Sequence, residues 1–121
     1  MIDNLKQIFS FLDNAYNAQG IVSVLEEVFP LNAIYIYDST TDSLRDFSKS
    51  WMFIKSKELA EIFENLENEK YITTKTKAYY ALYNNQKIIG MLEFSEKLHS
   101  KLLEFLELSG FCISLKIQNI I

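Results

Sequence analysis

The sequence predicts an α+β domain, an α/β/α sandwich in which an antiparallel sheet of about five strands carries helices on both faces. Three observations lead there. Apolar residues recur at helical spacing near both ends and once in the middle, and at strand spacing between those segments. The strand-like runs are apolar on both faces, so each face of the sheet needs cover. The connections between runs are short, and short connections join strands most simply as antiparallel neighbours.

The elements follow in chain order. Ile2, Leu5, Phe9, Leu12 and Tyr16, widened by Ile8 and Ala15, form one stripe and predict a first helix over Ile2–Tyr16. Phe11 falls outside that stripe. A second helix, from Gln19 to Phe29, sets Val22, Leu25, Val28 and Phe29 together, and Pro30 stops it. Ala33–Asp38, AIYIYD, is a β-branched and aromatic run of strand length. The polar DSTTDS is a loop, and Leu44–Phe53 forms the second strand. Ser56 suits the N-cap of a middle helix whose stripe is Leu59, Ile62, Phe63 and Leu66. Glu58, Glu61, Glu64 and Glu67 occupy its other faces as a solvated row.

YITTKT, AYYALY and KIIGMLEF supply the last three strands, with Asn84-Asn85 as a tight turn that tolerates positive φ. By alternation Ile88, Leu92 and Phe94 oppose Ile89 and Met91. Gly90 marks a place where a helix, or alternatively a ligand, approaches the backbone. A long closing helix completes the chain. The terminal helices are expected on one face of the sheet and the middle helix on the other.

Composition narrows the function. The 121 residues are 49% hydrophobic and 14% aromatic, enough for a packed core. The net charge of -4 lacks the basic footprint that nucleic-acid binding needs. No run approaches the ~18 uncharged apolar residues of a membrane span, and MIDNLKQIF lacks the form of a signal peptide. A single cysteine makes no intramolecular disulfide, so a cytoplasmic location is expected.

Catalytic signatures are missing as well. His99 and Cys112 are the sole histidine and cysteine, roughly 20 Å apart along the closing helix at about 1.5 Å per residue, too far to share a metal ion. His99 is expected at the surface and Cys112 as a buried, inert thiol. Three scattered glycines build no phosphate loop. Neither an enzyme nor a bound cofactor is expected. Tyr35, Tyr37, Trp51, Phe53, Tyr71 and Tyr80 are candidates to line a small-molecule pocket on the sheet face away from the terminal helices; ordinary core packing is the other reading of the same set.

Three segments carry a resemblance. NAQGIVSVLEEVFPLNAIYIYD resembles the opening helix and first strand of GAF domains, AYYALYNNQKIIGMLEF their last hairpin, and LLEFLELSGFCISLKIQNII their closing helix. The likeness spans residues 18–121 and leaves residues 1–17 as an added N-terminal helix. It implies a non-catalytic sensory or regulatory domain of a bacterial signal-transduction protein, passing its state on through terminal helices. The asparagine-lysine-phenylalanine-aspartate-glutamate signature of cyclic-nucleotide GAF domains and their extended pocket cover are missing, as is a bilin-attaching cysteine. The single cysteine also departs from GAF-like reductases of oxidised methionine. The alternative is a protein-interaction scaffold resembling roadblock or longin domains, without a ligand.

The closing helix carries two apolar stripes. Leu98, Leu102, Leu106, Ile113, Ile117 and Ile120 suit packing on the sheet, while Leu108, Phe111 and Leu115 point elsewhere. Either the first helix covers the second stripe, or a second copy does so in a four-helix bundle that also takes in Phe11. The homodimer is the favoured expectation. The end at Ile120-Ile121, with no stop signal, leads to the expectation that the helix continues into a downstream output module.

Overall fold

The computed structural model describes residues 4–121. Along the chain run α1 (Leu5–Asp13), α2 (Ala18–Glu26), β1 (Leu31–Asp38), β2 (Ser43–Asp46), β3 (Met52–Ile54), α3 (Lys57–Asn65), β4 (Tyr71–Thr73), β5 (Ala78–Asn84), β6 (Lys87–Phe94) and α4 (Ser100–Ile120). The strands make one sheet in the order β3-β2-β1-β6-β5-β4, every neighbouring pair antiparallel. Among the described residues no helix is long and apolar enough to cross a membrane.

Six strands replace the expected five because Leu44–Phe53 folds back on itself. Asp46 causes the reversal. Its carboxylate accepts hydrogen bonds from the Ser48 amide at 2.9 Å and from the Ser48 hydroxyl, which turns the chain locally. The Trp51 amide then returns to the Asp46 carbonyl at 3.1 Å, with Ser50 and Trp51 at φ 57° and 58°. The tail of the expected strand becomes β3.

Side-chain caps fix the helix starts. Asn4 accepts from the Gln7 amide at 2.9 Å, Asn17 from Gly20 at 2.8 Å and Ser56 from Leu59 at 3.2 Å; each such cap is worth about 1 kcal/mol. The first helix ends at Asp13, earlier than its stripe suggests: Ala15 is buried beyond it, but Tyr16 is 83% exposed. Ile2 lies outside the described residues. The Lys116 ammonium, reaching from α4, donates to the Asp13 carbonyl at 3.3 Å and satisfies the end of α1.

Two cores sandwich the sheet. On one face Ile8 and Leu12 of α1, Ile21 and Leu25 of α2, and Leu106, Ile113 and Ile117 of α4 bury against Ile34, Leu82, Leu92 and Phe94. On the other, Ile62 and Leu66 cover Ala33, Leu44, Tyr79, Ala81 and Met91. The terminal helices therefore share a face and α3 takes the opposite one, as the two-sided strands require.

Alternation fails in β6. Leu82 pairs with Gly90 but Tyr83 with Ile88, so Ile89 is an extra residue in the ladder. The slip moves Ile88 to the α3 side with Met91, and Ile89 to the helix-layer side with Leu92. The turn before it is Asn85-Gln86, one residue later than expected, with Asn85 at φ 59°.

Candidate functional site

A groove of about 970 Å³ lies between α3 and one end of the sheet. Its floor is apolar, built from Leu44, Ile54 and Ile88, one from each of three strands. Tyr37 stacks on Phe63 of α3, ring centroids 5.5 Å apart and planes 21° from parallel, which closes one wall. The Tyr37 hydroxyl donates to Asp42 at 2.6 Å, and that bond holds its phenol above the ordinary range. Tyr83 forms another part of the lining and donates its hydroxyl to the Leu66 carbonyl at 3.2 Å, tying β5 to the end of α3. Lys55, Lys57 and Lys87 share the lining with Asp42, Glu64 and Glu67. Such a groove suits a small molecule with a flat apolar body and polar ends.

A polar nest sits farther along the same face. Glu93, 1% exposed, accepts from Asn32 and from the Tyr35 hydroxyl at 3.4 Å, with the Lys77 ammonium 3.8 Å away. Tyr79 is buried beside them and pairs with Glu93 across the β5–β6 ladder. Burial first, and then the neighbouring carboxylate, push the Tyr35 and Tyr79 phenols well above the tyrosine range.

The six aromatic candidates do not converge on one site. Tyr37 lines the groove, and Tyr35 shares its face but belongs to the polar nest. The other four lie on the terminal-helix face. Tyr71 pairs with Tyr80 across the β4–β5 ladder, and the Tyr71 hydroxyl accepts from the Leu98 amide at 2.9 Å, latching the start of the closing segment. Tyr80 packs beneath Gly110, in a second hollow of about 440 Å³ that also touches Lys70, Glu107 and Phe111. Phe53 pairs with Arg45, whose guanidinium stands 3.8 Å from the Phe53 ring centroid, and Trp51 meets Phe47 edge-on at 6.2 Å. A strand apolar on both sides gives no sign of which side is which, so Tyr80 was indistinguishable from its neighbour Tyr79.

The second stripe of α4 is open. Leu108 is 59% exposed, Phe111 68%, Leu115 42%, and Phe11 on α1 47%. The described part of the first helix packs beside α4 and leaves these side chains uncovered. The flank of α4 beside this row is fixed to the sheet: the Ser114 hydroxyl donates to the Tyr83 carbonyl at 2.6 Å.

The remaining candidates have structural places. His99 caps α4, its Nδ1 accepting from the Leu102 amide at 3.3 Å, a role its position just before the helix could have suggested. Cys112 is half-buried, its thiol pushed up by burial and by Asp13. Among the described residues no three histidine, cysteine or carboxylate side chains gather as a metal site.

No family model matches the sequence, and no curated protein does. Among solved structures, the fold resembles the crystal structure of the GAF domain of a two-component sensor histidine kinase from Bacillus halodurans. The TM-score is 0.57 at 12% identity, over 96% of this chain and 95% of that one. With the six-stranded antiparallel sheet between paired terminal helices and α3, that likeness makes this a GAF-like fold.

Proposed function

We propose that this chain is a non-catalytic sensory and regulatory domain of a bacterial signal-transduction protein, cytoplasmic, and working as a homodimer. Its GAF-like fold and the sensor-kinase setting of the Bacillus halodurans domain support the signalling context. The observation that carries the reading is the open row Leu108, Phe111 and Leu115 along α4. A second copy on that row buries three large side chains per protomer, each worth about 1.5–3 kcal/mol when fully buried. Association costs of about 4–15 kcal/mol offset much of that gain, so the pairing is one that a signal can shift.

The groove beneath α3 is the sensing end in this reading. Its ligand is a small molecule whose flat apolar part lies by Tyr37 and Phe63, with an anionic group toward the rim lysines. Tyr83 connects the two ends. Its side chain lines the groove while its carbonyl holds Ser114 of α4, so a shift of Tyr83 on ligand binding reaches the dimer helix directly. An output domain or partner protein then reads the change in helix packing.

Native mass spectrometry of the purified chain tests this reading. A dimer mass is expected, with added mass where a ligand is retained and loss of that mass in Tyr37→Ala. A monomer at all concentrations overturns the pairing, and a retained molecule that survives Tyr37→Ala overturns the assignment of the groove.

A further inference from the structure

We propose that the free edge of β3 receives an extended, acidic peptide segment of a partner protein, which joins the sheet as an additional strand. β3 is outermost in the sheet, so among the described residues no strand lies beyond the backbone groups on its outer side. Exposed edges usually present charge on the strand itself. Here three consecutive large apolar residues stand in the open instead: Trp51 is 37% exposed, Met52 62% and Phe53 44%. That pattern is the signature of an edge with something to bind.

The charge around the edge selects the occupant. Residues 47–57 contain Lys49, Lys55 and Lys57 and no acid, in a chain whose net charge is -4. All three lysines are exposed, and none has an ion-pair partner among the described residues. Arg45 beside them is already engaged. It pairs with Asp38 at 2.8 Å, lies over Phe53, and donates to the Trp51 carbonyl at 3.0 Å. These contacts hold the β2–β3 hairpin in shape before any partner arrives, which lowers the ordering cost of binding. The complement of an apolar strand between free lysines is an extended segment with apolar residues at alternate positions and Asp or Glu beside them.

Two other occupants fit less well. A second copy paired on the same edge would bring its own Lys49, Lys55 and Lys57 to the contact, and like charges would gather there. An anionic membrane suits the lysines, but the Trp51 and Phe53 rings are held against Phe47 and Arg45, and lipid leaves the edge backbone unpaired. This inference stands independently of the α4 pairing.

Trp51 is the single tryptophan and reports on the site directly. The full chain is titrated with an acidic peptide of alternating Glu/Asp and Val/Ile, with the same peptide carrying Lys for each acid, and with phosphatidylserine vesicles. The acidic peptide is expected to blue-shift Trp51 emission, slow amide exchange over Met52–Ile54, and bind at least about fivefold more weakly to Lys49→Glu, whose side chain lies outside the groove lining. Equal binding of the lysine peptide overturns the proposal, as does an absence of change at β3 up to millimolar peptide. A Trp51 shift with vesicles but not with peptide assigns the patch to a membrane and overturns it too. A self-association abolished by Phe53→Asp gives the edge to a second copy, with the same consequence.

Discussion

Gly90 of β6 lies so close to the main chain of β1 that a Cβ placed on it would overlap the carbonyl oxygen of Tyr35 and stand 2.9 Å from Cδ1 of Ile36. Its missing side chain therefore makes room for a neighbouring strand. This replaces the expectation that a helix or ligand approaches there. The obstacle is backbone, which cannot swing aside as a flexible side chain would. Gly90→Ala is expected to destabilise the fold by about 2–3 kcal/mol or more, read as a lower urea midpoint with an unchanged slope. A midpoint equal to wild type would show that the β1–β6 spacing relaxes freely.

Glu93 organises the polar nest between the sheet and α3. Removing its carboxylate leaves the Asn32 and Tyr35 donors without their shared acceptor, the Tyr35 hydroxyl in a largely buried place. Glu93→Ala should cost about 2–3 kcal/mol in urea denaturation. Lys77→Met should cost less than about 1 kcal/mol, because that ammonium is 3.8 Å away and partly in water. Equal losses from both variants would mean that the ion pair, and not the hydrogen-bond set, holds the nest.

The tyrosines carry the pH dependence. Burial, then Glu93, hold the Tyr35 and Tyr79 phenols neutral well past the ordinary value of 10.0. The sign follows from the raised native value: unfolding releases protons above that pH. The stabilisation is complete below pH about 10 and is lost as pH climbs toward the native values. Ultraviolet titration of the seven tyrosines should show a late-ionising fraction that ionises together with unfolding. Replacing Tyr35 and Tyr79 with Phe should remove the latest-ionising part and leave the smaller delay of Tyr37, Tyr80 and Tyr83; a late fraction of unchanged size and midpoint in the double variant would contradict the assignment.

The sequence carried the order of elements and their layering, because periodicity and caps are local. Ser56 does cap α3, and Pro30 does separate α2 from β1. The layers followed from strands apolar on both faces. What escaped was set by single residues acting at a distance. Asp46 turns its strand into a hairpin, and the extra Ile89 in the ladder exchanges the faces of Ile88 and Ile89. The groove was half visible. Tyr37 is legible as a lining residue, whereas Phe63 and Tyr83 have the spacing of core residues and line the groove only because α3 leans over one end of the sheet. Trp51 and Phe53 were misplaced for the same reason as Tyr80: alternation along a run does not say which face of the sheet its odd residues take.

The α4 row gives the most direct test. Leu108, Phe111 and Leu115 are three exposed apolar residues on a helix that Ser114 pins to β5. Sedimentation equilibrium on the full chain and on Phe111→Glu plus Leu115→Glu compares one fold in two association states. The account predicts a wild-type dimer and a folded, monomeric double variant with the same circular dichroism. Wild type and variant both running as the same folded monomer would contradict it.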